Sequence, residues 1–170
     1  MRGNGPAGDP RAPYVRVAVV GLIGREDEHA GGGALGGDRA GGGTWLLLHR
    51  EHPVDAWDPP GGRMEEDEDL AGAAAREVAE ETGLEVRVDG PCYALLTMYK
   101  GERLLAVSMA CRPVGDTDRL HLEPEGASEW RWASTREWEQ LAALGRSSWS
   151  ADDVRRATRM ATVLWQTEGR

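Results

Sequence analysis

The sequence predicts an α+β fold class from two kinds of segment and the order in which they follow each other. Runs rich in β-branched and apolar residues predict strands, whereas segments with an apolar stripe at helical spacing predict helices. Two strands come first, a helix and further strands follow, and two helices come last. The predicted strands cover residues 14–23, 44–49, 84–88, 91–99, 103–112 and 129–133, and the predicted helices cover residues 67–82, 135–144 and 151–167.

The N-terminal part of the chain combines glycine-rich stretches with one strongly apolar strand. Residues 1–12 contain too little apolar surface to become ordered alone, and a disordered tail is expected there. Residues 14–23 are almost wholly apolar in their second half, which predicts a strand buried on both faces. Residues 24–43 carry runs of glycine, which predict a flexible loop inside a hairpin. A single domain is expected over residues 13–168.

The helix predicted over residues 67–82 is supported at both ends. Acidic residues crowd its first turn, where the helix dipole favours negative charge. Gly83 follows directly, in the position where a residue in the left-handed conformation commonly ends a helix. Leu70, Ala74 and Val78 form an apolar stripe along one side. We therefore expect this side of the helix to pack on a β-sheet.

Two serine residues precede the C-terminal helices in a pattern that is typical of helix N-termini. Ser134 is followed three residues later by Glu137, and Ser150 is followed three residues later by Asp153. In such a capping box each side chain bonds to the backbone N–H of the other residue. The two C-terminal helices are therefore expected to begin directly after these serines.

The acidic balance of the chain excludes one class of function. The formal net charge is −9, and the sequence contains no basic stripe. Nonspecific nucleic-acid binding depends on lysine and arginine side chains, so it is not expected. No apolar run approaches the length of a membrane span, and neither a membrane partner nor a secretory signal is expected. The sequence leaves a homodimer open.

The two cysteines, Cys92 and Cys111, lie in apolar runs of the sequence. A free cysteine in such a run behaves as a small hydrophobic residue, and two cysteines do not make a disulfide scaffold. A reducing compartment suits free thiols, so a cytoplasmic protein is expected.

Three carboxylates near the end of the 67–82 helix predict a site for a divalent cation. Glu77, Glu80 and Glu81 follow each other at helical spacing, so a helix places them on one face. Like charges in that arrangement repel each other by roughly a few tenths of a kcal/mol per pair. A divalent cation relieves the repulsion, and Mg²⁺ commonly binds one or two carboxylates together with substrate phosphates. Mn²⁺ is the expected substitute.

The residues around these carboxylates resemble the signature of the Nudix hydrolase family. That signature is glycine, five residues, glutamate, seven residues, arginine–glutamate, an aliphatic residue, any residue, two glutamates, any residue, glycine and an aliphatic residue. The residues that match its fixed positions are Gly62, Glu68, Arg76, Glu77, Val78, Glu80, Glu81, Gly83 and Leu84. Every fixed position is matched, so this segment, residues 62–84, is called the box below.

The resemblance implies a fold and a set of metal ligands. The implied fold is a Nudix-like α/β/α sandwich, in which a mixed β-sheet lies between helices. Glu80 and Glu81 would be the principal ligands of the metal, and the backbone carbonyl of Gly62 would join them. Glu77 would be either a further ligand or the general base.

The resemblance also implies roles for residues beside the metal ligands. Glu68 would act through metal-bound water, and Arg76 would orient the box glutamates by charge-assisted hydrogen bonds. Arg50 and Arg63 are candidate contacts to the phosphates of the substrate. A solvated surface arginine is the alternative for Arg50.

The position of the general base is left open. In some family members the base comes from the box, which here offers Glu77. In others it comes from a later loop, where this chain offers Glu125 and, as a second choice, Glu123. Two solvated acids that take no part in catalysis are the alternative for the loop.

The implied function is metal-dependent hydrolysis of a pyrophosphate bond in a nucleoside diphosphate linked to another group. A nucleoside triphosphate or a similar small nucleotide is the favoured substrate, since the chain is short and is expected to form one domain. ADP-ribose or a nucleoside-diphosphate sugar is the alternative substrate. A nucleotide-sensing module without turnover is the alternative function, and a pure interaction protein is a third.

Overall fold

The computed structural model describes residues 15–26, 43–51, 55–99, 101–118, 120–123 and 126–168. Its strands are β1 (Val15–Glu26), β2 (Gly43–Arg50), β3 (Ala56–Asp58), β4 (Gly61–Arg63), β5 (Glu85–Tyr99), β6 (Glu102–Val114) and β7 (Glu129–Ser134). Its helices are α1 (Leu70–Thr82), α2 (Thr135–Ala143) and α3 (Ala151–Glu168). Within these residues, no helix is both long enough and apolar enough to cross a membrane.

A mixed β-sheet forms the centre of the fold. The strands follow the order β3-β2-β1-β6-β5, while β4 pairs with β1 and β7 pairs with β2 off this path. β1 and β6 run parallel along most of β1, and the other described pairings are antiparallel. Parallel neighbours need a long connection, and here the box helix α1 lies within it.

Helices cover both faces of this sheet, as the sandwich prediction requires. Leu46 and Leu48 of β2 pack in one hydrophobic cluster with Val78 of α1. Trp45 and Leu47 alternate with them and pack in a second cluster, to which α2 and α3 contribute. Successive strand residues point to opposite faces, so an almost wholly apolar strand is the natural centre of a sandwich.

The box helix begins three residues later than the sequence predicts. Asp69 is its N-cap, and the Asp69 carboxylate accepts a hydrogen bond of 2.7 Å from the backbone N–H of Gly72. The acidic residues that were expected in the first turn therefore precede the helix. The predicted end is confirmed, because Gly83 adopts the left-handed conformation with φ of 70° and donates to the Ala79 carbonyl.

The glycine-rich loop is shorter at both ends than the predicted range 24–43. β1 continues through Gly24 to Glu26, and β2 begins at Gly43. At Gly24 a Cβ atom would lie 2.1 Å from the ring of Trp165, which stacks on Trp45. Glycine is therefore needed there for close packing rather than for flexibility. The remainder of the predicted loop and the predicted tail 1–12 lie outside the described residues.

A second difference concerns β5, for which the sequence predicts two strands, residues 84–88 and 91–99. The structure has one strand, Glu85–Tyr99, with register shifts between Val88 and Gly90 and between Pro91 and Tyr93. A β-bulge absorbs extra residues without ending the strand. Pro91 is tolerated because β5 lies at the edge of the described sheet, where a missing N–H breaks no ladder.

The segment before α1 contains two short strands, β3 and β4, where the sequence predicts only a turn. Gly61 lies so close to β1 that a Cβ atom would be 2.3 Å from the Val19 carbonyl oxygen. The pairing of β4 with β1 therefore requires a glycine at residue 61. This pairing fixes the backbone that leads into the box.

Both predicted capping boxes are present. The Ser134 hydroxyl accepts from the Glu137 backbone N–H at 3.2 Å, and the Glu137 carboxylate accepts from the Ser134 backbone N–H at 2.7 Å. Ser150 and Asp153 form the same reciprocal pair at the start of α3. α2 and α3 therefore begin directly after these serines, as expected.

Replacing Glu137 with glutamine is expected to destabilise the protein at neutral pH but not in acid. Hydrogen bonds from the Ser134 hydroxyl and backbone N–H hold the pKa of Glu137 below its ordinary value of 4.5. A depressed folded-state pKa stabilises the protein above the unfolded pKa, and this gain disappears as the pH falls through the folded pKa. Urea unfolding from pH 7 down to acid would measure the difference, and a constant difference across that range would contradict the expectation.

Candidate active site

The box carboxylates gather where the second half of α1 faces β4 and the loop between them. α1 presents Glu77, Glu80 and Glu81, and the loop before the helix presents Glu68. The side chains of Glu77 and Glu81 are 14% and 12% exposed, whereas that of Glu80 is 55% exposed. The side chain of Glu68 is 19% exposed, so three of the four are largely buried in the protein and only Glu80 is mostly in water.

Arg76 joins three of these carboxylates. Its Nε and Nη2 atoms donate to the two oxygens of Glu68 at 2.7 and 3.0 Å. Its Nη1 atom donates to Glu77 at 2.9 Å and to Glu80 at 3.1 Å. Nη2 also donates to the Arg63 carbonyl at 3.0 Å. These contacts use all five N–H donors of a guanidinium group, so the geometry agrees with the predicted orienting role of Arg76.

The same arrangement separates the proton affinities of two box glutamates. Hydrogen bonds from Arg76, and then from the Glu65 backbone N–H, lower the pKa of Glu68 to about 2. Burial raises the pKa of Glu77 above its usual range despite the adjacent guanidinium, and the charges of Glu81 and Glu80 raise it further. Glu68 is thus a permanent anion, and Glu77 holds a proton more readily. Sites of acid–base chemistry commonly show such a divergence.

Arg50 holds Glu81, the box glutamate that Arg76 does not contact. The Nη2 atom of Arg50 lies between the two oxygens of Glu81, at 2.6 and 2.7 Å. The backbone N–H of Gly61 donates to one of these oxygens at 2.9 Å. The sequence offers two interpretations of Arg50, a phosphate contact and a solvated surface arginine, and the structure places its guanidinium on a predicted metal ligand. No pattern in the sequence indicates this contact, because the two residues are 31 positions apart along the chain.

Residues 120–123 run beside the end of α1. The His121 backbone N–H donates to the Thr82 carbonyl at 2.9 Å, and that of Glu123 donates to the Glu81 carbonyl at 3.4 Å. The Nη1 atom of Arg50 donates to the Gly126 carbonyl at 3.5 Å. The described ends of the loop that carries the candidate bases are thus bonded to the end of α1 and to Arg50. Glu123 is exposed, and Glu125 lies outside the described residues.

Gly62 and Arg63 complete the predicted site. A Cβ atom on Gly62 would lie 2.3 Å from an oxygen of Glu77, so only a glycine lets this carboxylate approach β4. Arg63 contributes its carbonyl to Arg76, while its side chain is exposed next to the box. The structure thus brings together the four box glutamates, Gly62 and the arginines Arg50, Arg63 and Arg76.

The donor set fits a divalent cation. Glutamate oxygens are the hard ligands that Mg²⁺ prefers. Four glutamates face two arginines, so carboxyl groups outnumber guanidinium groups in the cluster. Among the residues that the structure describes, no three acidic, histidine or cysteine side chains already converge as a ligand set. The carboxylates point to Arg76 and Arg50 instead, and ligation would require them to turn.

A comparison with protein families identifies the class of this domain. A family model described as the NUDIX domain matches residues 33–152, which is more than half of the chain. The chain therefore belongs to the Nudix family. The family and the fold class that the sequence predicts are both confirmed.

Two curated relatives share about a third of their aligned residues with this chain. It is 36% identical over 118 residues to a MutT-like protein of Streptomyces ambofaciens. That alignment covers 68% of this chain and 64% of that protein. It is 33% identical over 116 residues to an RNA pyrophosphohydrolase of Caulobacter vibrioides. That alignment covers 58% of this chain and 67% of that protein. The alignment thus spans less than two thirds of the Streptomyces relative.

Solved structures show the same fold at lower identity. The C. elegans Ap4A hydrolase in a binary complex superposes with a TM-score of 0.65 at 21% identity, covering 89% of this chain and 99% of that chain. The MutT protein of Methanosarcina mazei Go1 gives 0.61 at 19% identity, covering 94% of this chain and 99% of that chain. At these identities the likeness establishes the fold and not the substrate.

Proposed function

We propose that the protein is a metal-dependent Nudix pyrophosphohydrolase, which cleaves a pyrophosphate bond in a nucleoside diphosphate linked to another group. The observation that carries the proposal is the gathering of all four box glutamates around Arg76 and Arg50. The names of the MutT-like relative and the RNA pyrophosphohydrolase support the same reaction class. We further propose that the substrate is a nucleoside triphosphate or a similar small nucleotide.

The box residues would hold the cation at the end of α1. Glu80 and Glu81 would be its principal ligands, together with the Gly62 carbonyl and, as a further candidate, Glu77. When bound there, Mg²⁺ or Mn²⁺ supplies neutralisation of phosphate charge and a more acidic water. Arg76 holds Glu77 and Glu80 beside this end of α1 through its Nη1 atom, and both carboxylates would turn away from Arg76 to reach the cation.

The general base would be either Glu77 of the box or one of the two loop glutamates, Glu123 and Glu125. Glu77 is supported by its burial and by its raised pKa, because a base whose pKa lies closer to neutrality is a better proton acceptor at working pH. Glu123 and Glu125 belong to the loop that is bound to the end of α1. Replacement of each by glutamine, followed by a comparison of kcat with the affinity for Mn²⁺, separates a base from a ligand.

The arginines beside the box would contact the phosphates of the substrate. The side chain of Arg63 is exposed, and its backbone carbonyl accepts a hydrogen bond from Arg76, so this residue would be able to reach an anion bound at the box. Arg50 would reach a phosphate only after leaving Glu81. Phosphate recognition by arginine is favoured by the planar guanidinium, which donates two parallel hydrogen bonds.

A hydrolysis panel is the experiment that tests this function. The purified protein is incubated with Mg²⁺ and with nucleoside triphosphates, nucleoside-diphosphate sugars, ADP-ribose or dinucleoside polyphosphates, and the products are separated by ion-exchange chromatography. We expect turnover of at least one nucleotide, with cleavage between two phosphorus atoms. The Glu80→Gln protein is the matched control, since it keeps the size of the side chain and loses one anionic oxygen.

The other outcomes of the panel point to the other functions. Preferred turnover of ADP-ribose or a nucleoside-diphosphate sugar would correct the substrate class and keep the reaction. Saturable nucleotide binding without any product, measured as thermal stabilisation, would establish a nucleotide sensor instead. The absence of both turnover and nucleotide binding would overturn the proposal.

We also propose a reducing, cytoplasmic location. Cys92 and Cys111 are free and buried, and burial raises the pKa of both thiols to about 12. Such thiols stay protonated and unreactive at physiological pH, and their role is to fill the core.

A further inference from the structure

We infer that Arg50 is an internal counter-cation of Glu81, which competes with the divalent cation for that carboxylate. The inference rests on the proposed function, because it concerns the same cation site. It adds a second role to the candidate phosphate contact: Arg50 sets the affinity of the nucleotide-free protein for the metal.

The position of one nitrogen atom carries the argument. Arg50 Nη2 lies at 2.6 Å from one oxygen of Glu81 and at 2.7 Å from the other. A cation that a carboxylate chelates through both oxygens occupies this same place. The Gly61 N–H takes a further acceptor site on one of these oxygens. A cation can therefore bind both oxygens of Glu81 only when Arg50 has moved away.

The burial of the pair makes the competition costly. The side chains of Glu81 and Arg50 are only 12% and 26% exposed, so water screens their attraction less than at the surface. Glu80 differs, because its more exposed carboxylate meets Arg76 through a single contact of 3.1 Å. The barrier to cation binding therefore lies at Glu81 rather than at Glu80.

Arg50 rather than Arg76 is the arginine that can leave. Arg76 would give up five hydrogen bonds, shared among three glutamates and a backbone carbonyl. In the described part of the chain, Arg50 gives up its place on Glu81 and one long bond of 3.5 Å to the Gly126 carbonyl. Arg50 therefore has fewer contacts to lose than Arg76.

A substrate phosphate gives the displaced arginine a new partner. Arg50 that has left Glu81 is an unpaired guanidinium next to the cation site, and a phosphate satisfies it. Nucleotide and cation therefore each favour binding of the other, since linkage between two ligands is reciprocal. Arg50 thus couples the two binding events without being a ligand of the metal.

Titration of the nucleotide-free protein with Mn²⁺ tests the inference. Electron paramagnetic resonance measures free Mn²⁺ directly, so the dissociation constant needs no activity assay. We expect Arg50→Gln to bind Mn²⁺ about tenfold more tightly than the wild type, because one charge-assisted contact no longer has to be broken. Arg50→Lys keeps the charge but not the planar guanidinium, and its dissociation constant should fall between the two.

Arg16→Gln is the matched control, since it removes the same charge outside the box. Arg16 forms a surface ion pair with Glu102, so the Mn²⁺ affinity of this variant should stay close to that of the wild type. Equal tightening in Arg16→Gln and Arg50→Gln would reduce the effect to overall charge and overturn the inference. Unchanged or weaker binding in Arg50→Gln would overturn it as well.

The same titration separates this inference from the proposed function. If the wild type and Arg50→Gln bind Mn²⁺ with the same affinity, the competition by Arg50 is refuted and the cation site is retained. Absence of Mn²⁺ binding from both proteins removes the cation site and the proposed function with it. Should Arg50→Gln fail to fold, as circular dichroism would show, Arg50→Lys decides the question through the same constant.

Discussion

Replacing Glu81 with glutamine is expected to lower turnover about a thousandfold while the protein stays folded. The amide keeps the shape of the side chain and still accepts from the Gly61 N–H, so the end of α1 is preserved. The change removes the anionic oxygen that the cation and Arg50 share. Steady-state hydrolysis of the best substrate of the panel at saturating Mg²⁺, together with circular dichroism, measures both effects.

Glu85→Gln is the matched control for this experiment. It removes one exposed glutamate just beyond the box and is expected to leave turnover unchanged. Glu80→Gln should show the same direction of change as Glu81→Gln, because both are proposed ligands. Wild-type turnover in both of these variants would remove Glu80 and Glu81 from the ligand set.

Replacing Gly62 with alanine is expected to lower turnover about a hundredfold with little change in stability. The new Cβ atom would lie 2.3 Å from one oxygen of Glu77 and 2.5 Å from the other, so the carboxylate must withdraw. Its hydrogen bond to Arg76, now 2.9 Å, would then be lost. The end of a flexible side chain moves readily, and the fold itself is not strained.

Two alanine variants bracket this result. Gly72→Ala lies in the same box, and its Cβ atom would meet the Asp69 side chain at a tolerable 3.3 Å, so turnover should be kept. Gly61→Ala would place its Cβ atom against the Val19 backbone, and a loss of stability is expected instead. A Gly62→Ala protein that is as active as the wild type, or one that fails to fold, would contradict the account of Gly62. Thermal unfolding and steady-state kinetics on the three variants provide the comparison.

The features that the sequence predicts correctly depend on neighbouring residues. The spacing of Glu77, Glu80 and Glu81 puts them on one helix, and the structure keeps them at one end of it. The caps at Ser134 and Gly83 are confirmed for the same reason, since each cap is decided within a few residues. Local chemistry also explains why the sequence indicates the cluster of carboxylates so directly.

The features that the sequence misses depend on residues that are distant along the chain. Arg50 lies 31 residues before Glu81, and no local pattern links them. The parallel pairing of β1 with β6 and the continuity of β5 through its bulges are likewise set by tertiary packing. The signature therefore predicts which residues form the box, but it does not predict the contacts that hold each carboxylate.

The parallel pairing of β1 with β6 has a consequence for how the protein is made. β1 leaves the ribosome before β6 and the Trp165 ring that packs on Gly24 are synthesised. The apolar run that includes Val19 and Ile23 must therefore wait for its parallel neighbour while the box and β5 are made. Such incompletely covered runs bind chaperones or aggregate, and distant contacts slow folding. Cellular yield of this protein should thus depend on the quality-control machinery.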